Sequence, residues 1–162
     1  CTGDIIYLSD QDDIWKPDKV KKVNAAFADS EVKAILHDAE IIDENGKATG
    51  AESLFALRKS KAGILKNLIK NSYVGCCMAF RKELIPVICP IPKEMYMHDY
   101  WIGTAAEYMG QVCFLKDKLI GYRRHSSNVT QMTHGSIGFM VKKRIDIIRC
   151  LGLLKKRVRE IG

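Results

Sequence analysis

The sequence predicts an α/β fold, a mostly parallel sheet with helices on its faces. Three observations point there. Short apolar runs end abruptly in polar clusters: Ile5 to Leu8 runs into Ser9, Asp10, Gln11, Asp12 and Asp13, and Val32 to Leu36 runs into His37 and Asp38. Continuous apolar runs of this length suit strands buried on both faces. Between them lie stripes at helical spacing, the first formed by Val20, Val23, Ala26 and Phe27. The chain has 162 residues, 47% of them hydrophobic, the size of one ordinary domain with a real core.

The elements follow in order. Pro17 suits the first position of a helix and Asp18 its positive end. Asp29 and Ser30 end that helix, and the strand from Val32 follows. Ile41 and Ile42 lead into a turn at Asp43, Glu44, Asn45 and Gly46. Residues 50–60 read as a loop with some helix, and Ile64, Leu65, Leu68 and Ile69 as a short helix. Tyr73 to Arg81 reads as a strand, in which Gly75 marks a bulge or a close approach by another backbone or a ligand. Pro86, Pro90 and Pro92 impose an irregular connection. Ile102, Ala105, Ala106 and Met109 give a helix ending at Gly110, and two further strands run from Gln111 to Leu115 and from Leu119 to Tyr122.

Charge and cysteines narrow the class. The net charge is +7, and residues 139–162 hold eight basic residues against Asp146 and Glu160, so one segment supplies nearly all of it. A whole-surface nucleic-acid footprint is therefore not expected. The six cysteines form no C-x-x-C pair, which argues against a zinc site and for a reducing, cytoplasmic compartment. No run of eighteen apolar residues and no signal-peptide pattern is present. The chain opens on Cys1 and reaches a core strand within a few residues, so it is expected to lack neighbouring strands upstream.

Chemistry concentrates at strand ends, where open α/β sheets bind ligands. Asp10 and Asp12 lie two apart and share one side of extended backbone. Crowded carboxylates call for a hard divalent cation, or else form a solvated loop that caps the next helix. A calcium EF-hand is excluded: counting from Asp10, the sixth position is Trp15 and the twelfth Lys21, where Gly and Glu are required. His37 and Asp38 form a weaker cluster. Asp99, at the start of the Ile102 helix, reads either as an N-cap or as a general base held ionised by the helix terminus. His125 follows the last strand and Arg123–Arg124, as a surface residue or a metal ligand.

Taken together, these pieces resemble family 2 glycosyltransferases, and most closely bacterial rhamnosyltransferase-like members. The resemblance rests on Leu8 to Lys19 with its D-x-D, then Val74 to Phe80, then His98, Asp99, Tyr100 and Trp101, then Leu119 to His125 with Asn128. It implies a GT-A fold over residues 1–135, without its nucleotide-binding strands, and an inverting transfer of sugar from a nucleotide diphosphate to an acceptor hydroxyl. It implies Mg²⁺ or Mn²⁺ held by Asp10, Asp12 and His125, and Asp99 as the base. Asp10, Asp13, Gly75 and Arg124 would serve the donor, with Asp13 the alternative ligand, and Trp101 the acceptor. The implied donor is dTDP-rhamnose and the acceptor a saccharide or lipid-linked saccharide in cell-surface polysaccharide synthesis. The 162 residues alone are expected to be inactive.

Residues 136–162 lie outside the resemblance. Val141, Ile145, Ile148, Leu151, Leu154, Val158 and Ile161 form one face of a basic amphipathic helix. It would lie on an anionic inner leaflet or pack on the domain. Two other functional classes compete: a non-catalytic interaction module, and a haloacid-dehalogenase-type phosphohydrolase. The phosphohydrolase would need a second acidic pair, and Asp43–Glu44 falls too early to serve.

Overall fold

The computed structural model describes residues 1–124 and 137–161, with side chains of the last helix from Arg144 to Glu160. His125, Asn128 and the expected boundary at 135/136 fall outside the described residues.

Five strands form one sheet: β1 (Ile5–Tyr7), β2 (Ile14–Trp15), β3 (Val32–Ile42), β4 (Met78–Arg81) and β5 (Gln111–Arg123). Their order is β1-β4-β3-β5-β2. The expected mostly parallel pairing is corrected. Only β3 and β5 pair in parallel; β1 with β4, β4 with β3, and β2 with β5 are antiparallel. β1 does run in the same direction as β3 and β5, but β4 is inserted between β1 and β3 in the opposite sense. β1 is an edge strand of the described sheet, and Ile5 and Tyr7 are only half-buried.

β3 and β5 are long, 11 and 13 residues, where the sequence suggested shorter pieces. β3 passes straight through His37 and Asp38, with register irregularities on both sides of Asp38. Asp38 is buried there because its Oδ1 accepts the N–H groups of Ala39 and Phe55, at 2.7 and 2.9 Å. β5 likewise runs on through Lys116, Asp117 and Lys118. After β3 the turn closes as expected: Asp43 Oδ1 accepts from the amides of Asn45 and Lys47, and Gly46 takes φ +82°.

Helix α1 (Lys19–Ala26) packs Val23, with Phe27 just beyond its end, on one face of the sheet against Ile35, Ala79 and Leu119. Its phase differs from the expected stripe: Val20 is exposed, and Lys19 is buried. Helices α2 (Leu54–Arg58) and α3 (Ile64–Ile69) lead to a 3-10 turn at Gly75–Cys77 that enters β4. On the opposite face, α4 (Ile85–Ile88), α5 (His98–Met109) and α6 (Ile137–Ile161) enclose the largest apolar cluster, with Leu36, Met78, Phe80, Trp101 and Leu154 at its centre. α6 seats Ile147, Cys150 and Leu154 on the domain, so much of its apolar surface serves packing.

Candidate active site

Residues 8–13 carry the chain from β1 at one edge of the sheet to β2 at the other. They pass the start of β4, where Leu8 N–H donates to Met78 O at 3.0 Å. β2 then anchors the far end, Ile14 opposite Gly121 and Trp15 opposite Ile120. A turn at residues 11–12 breaks the extended backbone, so the two-residue alternation no longer applies. Asp10 meets Asp13: one carboxylate oxygen of each and the Cys76 sulfur lie within 4.8 Å of one another. Asp12 is half-buried beside this group, its carbonyl accepting from Arg123 Nε at 2.9 Å.

Asp13 is the electrostatic centre of the loop. Its Oδ1 accepts from the Arg123 amide at 3.1 Å, and its Oδ2 is buried with no hydrogen-bond partner. Burial raises its pKa, and the charges of Asp10 and Asp12 push the same way; the Cys76 side chain and the Arg123 amide oppose them. A crowded carboxylate with an unpartnered buried oxygen fits a hard divalent cation. Cys76 does not: its bond with Cys77, together with burial, holds the thiol protonated, and a neutral thiol is a poor partner for Mg²⁺ or Mn²⁺.

Beneath the loop lies Lys19, fully buried. Its ammonium donates to Cys76 O at 3.3 Å and sits 3.7 Å from the centroid of the Trp15 ring. Burial lowers its pKa to about 8, against the pull of Cys77, Cys76 and Asp13. His37 is also fully enclosed here. Its Nδ1 pairs with Asp38 O at 2.9 Å, its Nε2 has no partner, and burial first, then the charge of Lys19, lower its pKa to about 4.

The 3-10 turn joins the loop to the second polar centre. A Cβ on Gly75 would lie 2.9 Å from His98 Nε2, so the imidazole rests against that backbone. The close approach at the glycine is made by a side chain, where a backbone or a ligand was expected. Asp99 is next to His98, in the first turn of α5; Met97, not Asp99, is the N-cap residue. Asp99 Oδ1 accepts from Tyr100 N–H at 2.7 Å. Burial raises its pKa despite the Tyr100 amide, His98, Arg58 and Asn71. The helix terminus was expected to hold this carboxylate ionised; desolvation outweighs it.

Trp101 and Arg124 stand apart from these two centres. Trp101 is fully buried, its indole N–H donating to Ile88 O at 2.9 Å and the Arg157 guanidinium 5.9 Å from its ring, so it offers no open face to a sugar. Arg124 is exposed, its amide bonded to Ile42 O, while Arg123 turns to the acidic loop and to the carbonyls of Asp43 and Glu44. Lys19 and His98 were given no role of their own from sequence, and of the two adjacent arginines only Arg124 was assigned to the donor. For Arg123 the signal available was strand alternation, which puts adjacent arginines on opposite sides.

The family model of glycosyl transferase family 2 matches residues 1–88, which include the acidic loop, β3 and the 3-10 turn. The chain belongs to this family. It is also similar to an uncharacterised glycosyltransferase of Nostoc sp., 27% identical over 135 residues, covering 79% of this chain and 42% of the relative. The amylovoran biosynthesis glycosyltransferase AmsE of Erwinia amylovora is 29% identical over 135 residues, covering 81% of this chain and 49% of that protein. The chain therefore spans less than half the length of either of these relatives. No helix among the described residues is long and apolar enough to cross a membrane.

Proposed function

We propose that this chain forms the metal and base side of a family 2 glycosyltransferase site. The protein containing it would transfer sugar from a nucleotide diphosphate to a hydroxyl acceptor, with inversion. The observation that carries this reading is the Gly75–Cys77 turn. It has the Asp10–Asp13 carboxylates at its Cys76 side chain and His98, followed by Asp99, against its Gly75 backbone. Inverting transfer needs a cation for the leaving diphosphate and a base for the attacking hydroxyl.

Asp10 and Asp13 would hold Mg²⁺ or Mn²⁺, with Asp12 adjacent and His125 as a candidate from sequence. Bound there, the cation would neutralise charge on the departing diphosphate. Asp99 would take the acceptor proton as the acceptor oxygen bonds to the anomeric carbon and the bond to the diphosphate oxygen breaks. Its raised pKa suits a group that must accept a proton during the step. Gly75 leaves room for the His98 ring beside the sugar. The relative named for amylovoran biosynthesis supports a saccharide or lipid-linked acceptor in cell-surface polysaccharide synthesis. Six free cysteines support a cytoplasmic setting.

The test is binding of a nucleotide-sugar panel, headed by dTDP-rhamnose, to the full-length protein with and without Mn²⁺. Binding should require the metal and be lost in Asp10→Ala and Asp13→Ala. Metal-independent binding, or wild-type behaviour of both variants, would overturn the assignment.

A further inference from the structure

We propose that α3 and the Arg144–Arg149 stretch of α6 form one docking surface for an anionic lipid bilayer. Leu65 and Ile69 on α3 are 78% and 74% exposed, the most exposed large apolar side chains among the described residues. Four apart, they share one helical face. Ile145 and Ile148 on α6, three apart, are 45% and 54% exposed. The two helices meet at this place, where the Arg144 guanidinium donates to Ile69 O at 3.0 Å. Packing does not require the exposed pair, because α6 is seated on the domain by Ile147, Cys150 and Leu154. The sequence put Ile145, Ile148 and Leu154 on one stripe; in the structure Leu154 packs inward and the two isoleucines stand out.

Charge says what covers the patch. Lys61, Lys66 and Lys70 flank the α3 pair and lie close enough for Lys61 and Lys70 to help desolvation depress the Lys66 ammonium. Arg144 and Arg149 flank the α6 pair, and the chain's excess of positive charge is concentrated in this helix. Protruding aliphatic side chains among mutually repelling cations match an interface with anionic headgroups. The apolar tips enter the acyl boundary and the cations meet lipid phosphates. With no described helix able to span a bilayer, the contact is peripheral.

This surface is independent of the transfer reading, because its test involves no catalysis. The 162-residue chain is floated with vesicles of phosphatidylcholine alone and with added phosphatidylglycerol. Anionic vesicles should carry the protein at low salt, with binding falling at high salt. Leu65→Asp/Ile69→Asp and Ile145→Asp/Ile148→Asp should each reduce flotation about tenfold, as should Lys66→Glu/Lys70→Glu, with unchanged circular dichroism. Equal flotation on neutral vesicles, or wild-type flotation of the α3 variants, would overturn the proposal. So would a dimer in light scattering, without vesicles, that the α3 substitutions dissolve.

Discussion

Asp13 and Asp99 are alike in isolation and opposite in context. Each is a half-buried carboxyl whose pKa is raised chiefly by burial. Around Asp13 the neighbouring charges are Asp10 and Asp12, which add to that rise. Around Asp99 they are His98 and Arg58, which oppose it. In the proposed site a cation would relieve the first group, and the second, already partly balanced, would exchange a proton. Their foundations differ too. Asp13 lies on a loop laid across strand ends, and Asp99 lies two residues before the fully buried Trp101.

The sharpest way to break this division is to neutralise each carboxylate in the full-length protein. Asp99→Asn should lower kcat about a thousandfold, roughly 4 kcal/mol, with Mn²⁺ affinity unchanged. Asp13→Asn should instead weaken Mn²⁺ binding, read by electron paramagnetic resonance. Matching losses of metal affinity in the two variants would erase the distinction.

The difference in foundations is tested by tryptophan truncation. Trp101→Ala should cost about 3 to 4 kcal/mol in denaturant unfolding. Trp15→Ala, at a residue 36% exposed, should cost about 1 kcal/mol or less. Equal costs would mean that the loop is as deeply rooted as α5.

His37 sharpens the electrostatics under the acidic loop. Its folded pKa of about 4 lies below the ordinary 6.5, so the unfolded chain binds a proton that the folded chain refuses. The stability it allows is fully present above pH 6.5 and is lost as pH falls toward 4. That loss is on the order of 3 kcal/mol. Denaturant titrations across that range should show the slope in the wild type and a flatter one in His37→Phe. No difference between the two would mean that His37 is not held neutral.

The smallest effect concerns the connection between the centres. Gly75→Ala places a Cβ against His98, which must move. Transfer should fall about tenfold, near 1.4 kcal/mol, while Mn²⁺ binding holds. If metal binding fell and transfer held, the turn would belong to the acidic loop alone.

Much of this was legible in the sequence, for identifiable reasons. The short apolar run before Asp10 located β1, although it is a half-buried edge strand, and the Ile102 to Met109 stripe located α5, which is buried on all sides from Tyr100 to Ala106. Gly75 signalled a close approach but not its partner, since His98 is brought there only by tertiary packing. The pairing sense of β4 has no periodic signature, so an antiparallel strand inside the sheet was invisible. Lys19 was missed because an eight-residue helix fixes its phase weakly, and Val20 looked like the buried neighbour. Trp101 was given to the acceptor as an apolar face, but that face is buried and its indole N–H has a partner in Ile88. The approach of Asp13 to Asp10 goes with a turn at residues 11–12 that the carboxylate spacing does not encode.

The route of the acidic segment has a mechanical consequence. Tyr7 is level with Ile35 of β3 through Ala79, while Ile14 is level with Glu40 through Gly121. On a flat sheet, four strand spacings and that offset along β3 would separate Tyr7 from Ile14 by about 25 Å. Seven residue steps, fully extended, reach about 23 to 25 Å, and this segment also contains a turn. It can therefore join its two strands only across a bent surface, and the irregularities around Asp38 supply a place to bend. The segment acts as a bowstring whose length selects the curvature of the sheet. Removing one residue from it should deform the molecule more than adding one.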